Sequence, residues 1–139
     1  MSTQIFVNLP VKDLPRSIDF FTRLGYRFDP QFTNESGTCM IIDENIFVML
    51  LTEPFFQGFT PKPVSDAMQS TEVLICLSCE SRNHVNDLVS KAIQAGGTTP
   101  NPSKDYGFMY QHGYQDLDGH LWELVYMEGT PGDATAETH

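Results

Sequence analysis

One order of elements is written twice along this chain, and that duplication constrains the fold more than any single motif. Ile5, Val7, Leu9 and Val11 alternate with Phe6, Asn8 and Pro10, the period of a strand. Asp13 suits the cap of a following helix, Pro15 its first turn, and Leu14, Ile18, Phe21 and Leu24 its apolar stripe. Gly25 is the C-terminal stop. The pattern then predicts a short strand at residues 26–28 and two longer ones at about 38–42 and 46–52, joined through Asp43-Glu44-Asn45.

The second half repeats this. A strand is predicted over residues 72–79, and Ser81 caps a helix carrying Val85, Leu88, Val89, Ala92 and Ile93 on one face. Gly96-Gly97 ends that helix, with Gly96 standing 71 residues after Gly25 (25 to 96). A short strand at 98–100 precedes a hairpin of residues 108–115 and 120–126, turned by Asp118-Gly119. The fold class is therefore α+β: two tandem βαβββ modules whose mixed sheets form an open, barrel-like cavity. A four-stranded sheet with one helix leaves its other face uncovered, which is why a shared cavity is expected. Residues 1–127 read as one domain, with modules at about 4–53 and 71–127 and a linker at 54–70; residues 128–139 read as a disordered tail.

The linker carries three prolines and Phe55, Phe56 and Phe59. Such a segment is a linker packed on itself, a flap over a cavity mouth, or a surface for a second subunit.

Net charge is −10, from 18 acidic and 8 basic residues. That surface repels phosphate backbones and anionic lipid, so neither nucleic acid nor a membrane is an expected partner. It either favours a cationic ligand or serves solubility alone. No apolar run approaches the roughly 20 residues that span a bilayer, and Met1-Ser2-Thr3-Gln4 has no signal-type start, so a cytoplasmic location is expected. Cys39, Cys76 and Cys79 are odd in number and read as small buried thiols. Cys76 and Cys79 have the C-x-x-C spacing, but positions three apart on a strand face opposite ways and no second pair accompanies them.

Glu123 is the residue to question. It lies in Asp116-Leu117-Asp118-Gly119-His120-Leu121-Trp122-Glu123-Leu124, a carboxylate on a strand of apolar neighbours, and such a group is costly without a partner.

With the duplicated order in hand, the chain resembles the vicinal oxygen chelate superfamily, which includes glyoxalase I, extradiol dioxygenases, fosfomycin-resistance proteins and bleomycin-binding proteins. The match is carried by Val11-Lys12-Asp13-Leu14-Pro15-Arg16-Ser17-Ile18-Asp19-Phe20-Phe21 and by Asp116–Leu124, and spans about residues 4–127. The resemblance implies a metal ligand from each of four cavity-facing strand positions, or three in some members. Those positions fall on Phe6, on or beside Met49, on Leu74, and on Glu123. Phenylalanine, methionine and leucine offer no hard oxygen or imidazole donor for Mg²⁺, Ni²⁺, Zn²⁺ or Fe²⁺. The expectation is accordingly no metal or other cofactor, with a divalent metal bound through other ligands as the alternative.

If Glu123 faces the cavity, alternation brings Phe6, Asn8, Phe47, Met49, Leu51, Leu74, Cys76 and Ser78 to the same side, a mostly apolar pocket with a few polar groups. Glu123 then either binds a cationic group or acts as a base, or is held structurally by Asn8, Ser78, Tyr110 or a backbone amide. His112 shares a face with Tyr110 and Tyr114; on the inner face it would form an acid–base pair with Glu123. His84 is expected to be solvated on its helix and His120 to lie on the outer face. Two functions from different classes remain. One is a metal-free binding protein for a small, partly apolar, cationic molecule, homodimeric as the resemblance implies. The other is a lactoylglutathione-lyase-like or dioxygenase-like enzyme, metal-free through Glu123 and His112 or metal-dependent.

Overall fold

Both helices end in the same way, which makes the duplication physical. In the computed structural model, which describes residues 3–129, Gly25 and Gly96 adopt φ +105° and +107°, a left-handed conformation that costs glycine nothing. Beyond each, an amide closes back five residues: Tyr26 donates to the Phe21 carbonyl at 3.1 Å, and Gly97 to that of Ala92 at 2.8 Å.

The chain forms two compact units. The first runs to Glu72 and takes in Leu117–Gly119; the second is Val73–Asp116 together with the residues from His120 onward. The 54–70 segment thus belongs to the first unit, as do three residues from the tip of the last hairpin.

The first unit holds β1 (Ile5–Val11), α1 (Leu14–Leu24), β2 (Arg27–Asp29), β3 (Gly37–Asp43), β4 (Ile46–Thr52) and a short α2 (Glu53–Gln57). Its sheet has the order β1-β4-β3-β2, with β1 parallel to β4 and the other pairs antiparallel. Directly paired residues share a face. Leu9, Val11, Met40, Val48 and Leu50 lie fully buried on the face that takes α1. Each such side chain contributes about 1.5–3 kcal/mol by leaving water. Phe6, Asn8, Phe47, Met49 and Leu51 are on the other face, as alternation requires.

Asp13 caps α1 by accepting from Arg16 N–H at 3.1 Å. On the helix, Ile18 is half-buried, while Ser17 and Phe20 occupy the buried positions beside Leu14, Phe21 and Leu24. Ser17 is there for a polar reason: its hydroxyl donates to Asp118 Oδ2 at 3.1 Å, and the Lys12 amide donates to Asp118 Oδ1 at 2.9 Å.

The second unit holds β5 (Leu74–Ser78), α3 (Arg82–Gln94), β6 (Lys104–Asp105), β7 (Met109–Gln115) and β8 (Leu121–Met127), in the sheet order β5-β8-β7-β6. Ser81 caps α3 by accepting from His84 N–H at 3.0 Å. Trp122, Leu124, Tyr114, Val85 and Ala92 form its core, and Ile93, expected on the apolar stripe, is left largely exposed. The strand expected at 98–100 reduces to a single bridge from Thr98 to Gln115, because Pro100 and Pro102 cannot donate to a ladder. The tail expected at 128–139 lies, from residue 130, outside the described residues. Among the described residues no helix is long and apolar enough to cross a membrane.

Gly119 sits at φ +94°, and a Cβ there would lie 2.7 Å from backbone atoms of Ala67 and Met68. The substitution Gly119→Ala therefore combines backbone strain with a collision that no flexible side chain can relieve. We expect it to cost about 2 kcal/mol or more, lowering Tm by roughly 5–10 °C. Gly25→Ala, with open space around it, carries only the strain. Thermal unfolding of both variants checks this: equal Tm losses would contradict the packing of Gly119 on the 67–68 backbone.

Candidate functional site

The carboxylate of Glu123 is held by a residue two positions along the neighbouring strand. Gln111 Nε2 donates to Glu123 Oε1 at 2.6 Å. Gly113 stands directly opposite Glu123, and a Cβ there would overlap Glu123 Oε2 and the Trp122 carbonyl, so glycine provides the room the carboxylate occupies. Leu74, Cys76 and Ser78 share this face through the β5–β8 ladder, as expected.

Tyr110 and His112 do not share it. His112 pairs with Leu124, one residue out of step with Glu123, so the Glu123–His112 acid–base pair is not formed. Tyr110 points to the helix side, where its hydroxyl donates to Asn86 Oδ1 at 2.6 Å and its ring lies 5.3 Å beneath the Arg82 guanidinium. The reason is the turn. A two-residue Asp118-Gly119 turn would set Tyr114 opposite Glu123, whereas the observed link of Asp116–His120 sets Gln115 against Leu121 and Gly113 against Glu123. Asp116 closes that longer turn, accepting the His120 amide and the Trp122 indole N–H, each at 3.0 Å. His120, expected on an outer face, is buried in the turn, and His84 is exposed.

Within its own unit Glu123 opens on a cleft of only about 40 Å³, bordered by Asn101, Lys104 and Gln111. That is room for a water molecule or two, not for an organic ligand.

A larger cavity lies in the first unit, beside Asn8 on the open face of the sheet. It has a volume of about 390 Å³, within the range of small-molecule sites. Phe56, Phe59, Pro63 and Val64 supply its apolar wall; Asn8, Thr60, Lys62, Ser65 and Glu72 supply polar groups. The aromatic and proline composition of this segment was legible in the sequence, but the part played by Lys62 and Glu72 was missed. A signal existed, since Lys62 is the single basic residue between Arg27 and Arg82. Phe6 and Phe47 stack at 5.0 Å on the same face of the sheet.

Of the positions that the resemblance assigns to metal ligands, Phe6 and Met49 stand on the open face of the first sheet, and Leu74 and Glu123 share a face of the second. Three of the four side chains offer no donor that a hard or borderline divalent ion accepts, so these residues do not fit that ion.

Cys39 is buried, but Cys76 is exposed and Cys79 lies half-buried past the end of β5, so only one of the three thiols is enclosed as expected. Partial desolvation by the neighbouring strand, although Cys76 keeps contact with water, and then the Glu123 carboxylate push the Cys76 thiol up. Cys79 is pushed up to about 11 by burial, then by Cys76 and Glu80. Redox-active C-x-x-C pairs require the opposite shift.

Against this geometry the comparisons are consistent. Residues 3–42 match the family model of the bleomycin resistance protein-like N-terminal region. A hypothetical protein from S. aureus shares 25% identity over 91% of this chain and 94% of its own, with a TM-score of 0.77. A glyoxalase/bleomycin resistance protein/dioxygenase family enzyme from Burkholderia phytofirmans PsJN superimposes at TM-score 0.74, with 14% identity over 91% of this chain and 99% of that one. A genomically encoded fosfomycin resistance protein from Listeria monocytogenes does so at 0.67, with 18% identity over 94% and 96%. No match was found among curated protein sequences. The N-terminal match and these likenesses show a fold shared with glyoxalase/bleomycin resistance/dioxygenase family and fosfomycin resistance proteins.

The raised Cys79 thiol has a measurable consequence. At pH 8 about one molecule in a thousand carries the thiolate, so alkylation by iodoacetamide, followed by peptide mapping, should label Cys79 roughly a hundredfold more slowly than free cysteine. Labelling at the rate of free cysteine would restore the redox reading.

Proposed function

We propose that this protein is a metal-free small-molecule-binding member of the vicinal oxygen chelate superfamily, holding a partly apolar ligand in the cleft walled by residues 56–65. The observation that carries the reading is size. The cleft of about 390 Å³ offers the volume of a small-molecule site, with aromatic walls and a few polar groups, while the space at Glu123 is about a tenth of that. Phe56 and Phe59 supply contact area at low conformational cost. Braces within the segment support it too: Gln57 Nε2 donates to the carbonyls of Thr60 at 3.0 Å and Lys62 at 2.7 Å, so part of the ordering cost of binding is met in advance. The homodimer implied by the resemblance belongs to this reading, with Ile5, Phe6 and Leu74 as large apolar side chains left exposed.

The alternative, an enzyme built on Glu123, draws support from the short Gln111 bond that orients its carboxylate. It requires an acid–base partner other than His112, or metal ligands other than Phe6, Met49 and Leu74.

Two measurements separate these. Protein purified without chelator should contain no stoichiometric Ni, Zn, Mn or Fe by elemental analysis; one equivalent would remove the metal-free reading. A neutral apolar fluorescent probe, N-phenyl-1-naphthylamine, should bind with an affinity that Phe56→Ala weakens about tenfold, as expected for losing an aromatic contact of about 1–2 kcal/mol. An unchanged affinity would move the site elsewhere.

A further inference from the structure

Resting on that reading of the cleft, we propose that its ligand is a zwitterion, a molecule with an apolar body that carries one anionic and one cationic group. Lys62 and Glu72 both border the cleft, and among the described residues neither has an ion-pair partner, within the cleft or outside it. The other exposed bases with nearby acids are paired: Arg23 with Asp19, Arg82 with Asp105 and Lys91 with Asp87. What sets Lys62 and Glu72 apart is their place: one charge of each sign, neither held in an ion pair among the described residues, borders the same apolar wall.

The backbone at Lys62 is held in place. Its amide donates to Thr60 Oγ1 at 3.1 Å, and its carbonyl accepts from Gln57 Nε2. The loop therefore presents its cation at the cleft from a braced position.

Charge decides between ligand classes. A neutral apolar ligand would strip water from both the ammonium and the carboxylate and return nothing for either. A purely cationic ligand would satisfy Glu72 while meeting Lys62 as a like charge. A purely anionic one would satisfy Lys62 while meeting Glu72, and would approach a protein of net charge −10. A zwitterion compensates both groups, carries no net charge against the overall field, and lays its apolar part on Phe56 and Phe59. Asn8 adds an amide that serves either end.

The test uses the full chain and one series of probes measured by calorimetry at low salt: the dipeptide Phe-Phe free, N-acetylated, C-amidated, and capped at both ends. These are a zwitterion, an anion, a cation and a neutral molecule on one apolar body. The free dipeptide should bind most tightly, each cap weakening it about threefold, the size expected for a partly exposed ion pair. Lys62→Met should abolish the discrimination against C-amidation, and Glu72→Gln that against N-acetylation. Both side chains are exposed, so the variants should keep the parent Tm. Lys91→Met, a base on the opposite unit's helix, should leave the series as it was. If all four probes bind equally, or if Lys62→Met and Glu72→Gln leave the ranking untouched, the zwitterion proposal falls while the cleft reading stands. If the dipeptides fail to bind but the fluorescent probe binds in a Phe56-dependent way, the outcome is the same. If no probe binds, both fall.

Discussion

The rest of the first unit depends on the seating of one carboxylate, that of Asp118, against the start of α1. It takes the Lys12 amide and the Ser17 hydroxyl, while Asp13 takes the amide of Arg16. Two acids at one helix N-terminus would repel each other if they competed for the same donors. Here the donors are shared between them, and the positive end of the helix favours both. The buried Asp118 is thus compensated, as a buried charge has to be. Gly119, next in line, then lies against the backbone of Ala67 and Met68, which fixes the far end of the segment that walls the cleft.

Each sheet separates its tasks by face. The helix-side faces carry most of the apolar packing, with Trp122, Leu124, Val48 and Leu50 removed from water, and the buried Thr38 there shares a hydrogen bond with Thr33. The other faces tolerate what a core would not: Asn8 and Phe6 in the first sheet, Cys76 and Glu123 in the second. Glu123 is affordable on such a face because Gln111 satisfies one oxygen and Gly113 leaves space for the other.

Much of this was legible residue by residue. Alternation placed Phe6, Asn8, Phe47 and Met49 together, and Leu74, Cys76 and Ser78 with Glu123, because the period of a strand is a local property. The face of Tyr110 and His112 was left open by the strand pattern, for an equally local reason. Asp118-Gly119 reads as a two-residue turn, but Asp116 captures the His120 amide and the Trp122 indole, and the loop widens to five residues. A change of one residue in register moves every side chain of β7 to the other face. The cleft was half legible: its aromatics and prolines stand out, whereas Lys62 and Glu72 border one space only because the 58–72 chain returns upon itself.

By itself, then, the sequence determined what depends on neighbours within a few residues: the strand periods, the Asp13 and Ser81 caps, the glycine stops at Gly25 and Gly96, and the duplicated order that follows from them. Tertiary structure decided what joins residues far apart in the chain. It brought Asp118 to Lys12 and Ser17, set the register of β7 on β8, gave Glu123 its partner in Gln111, and gathered opposite charges around an aromatic cleft. Local preferences are paid in backbone geometry and show in the residue pattern; long-range pairings are chosen by which buried donors find acceptors, and no short window of sequence contains both partners.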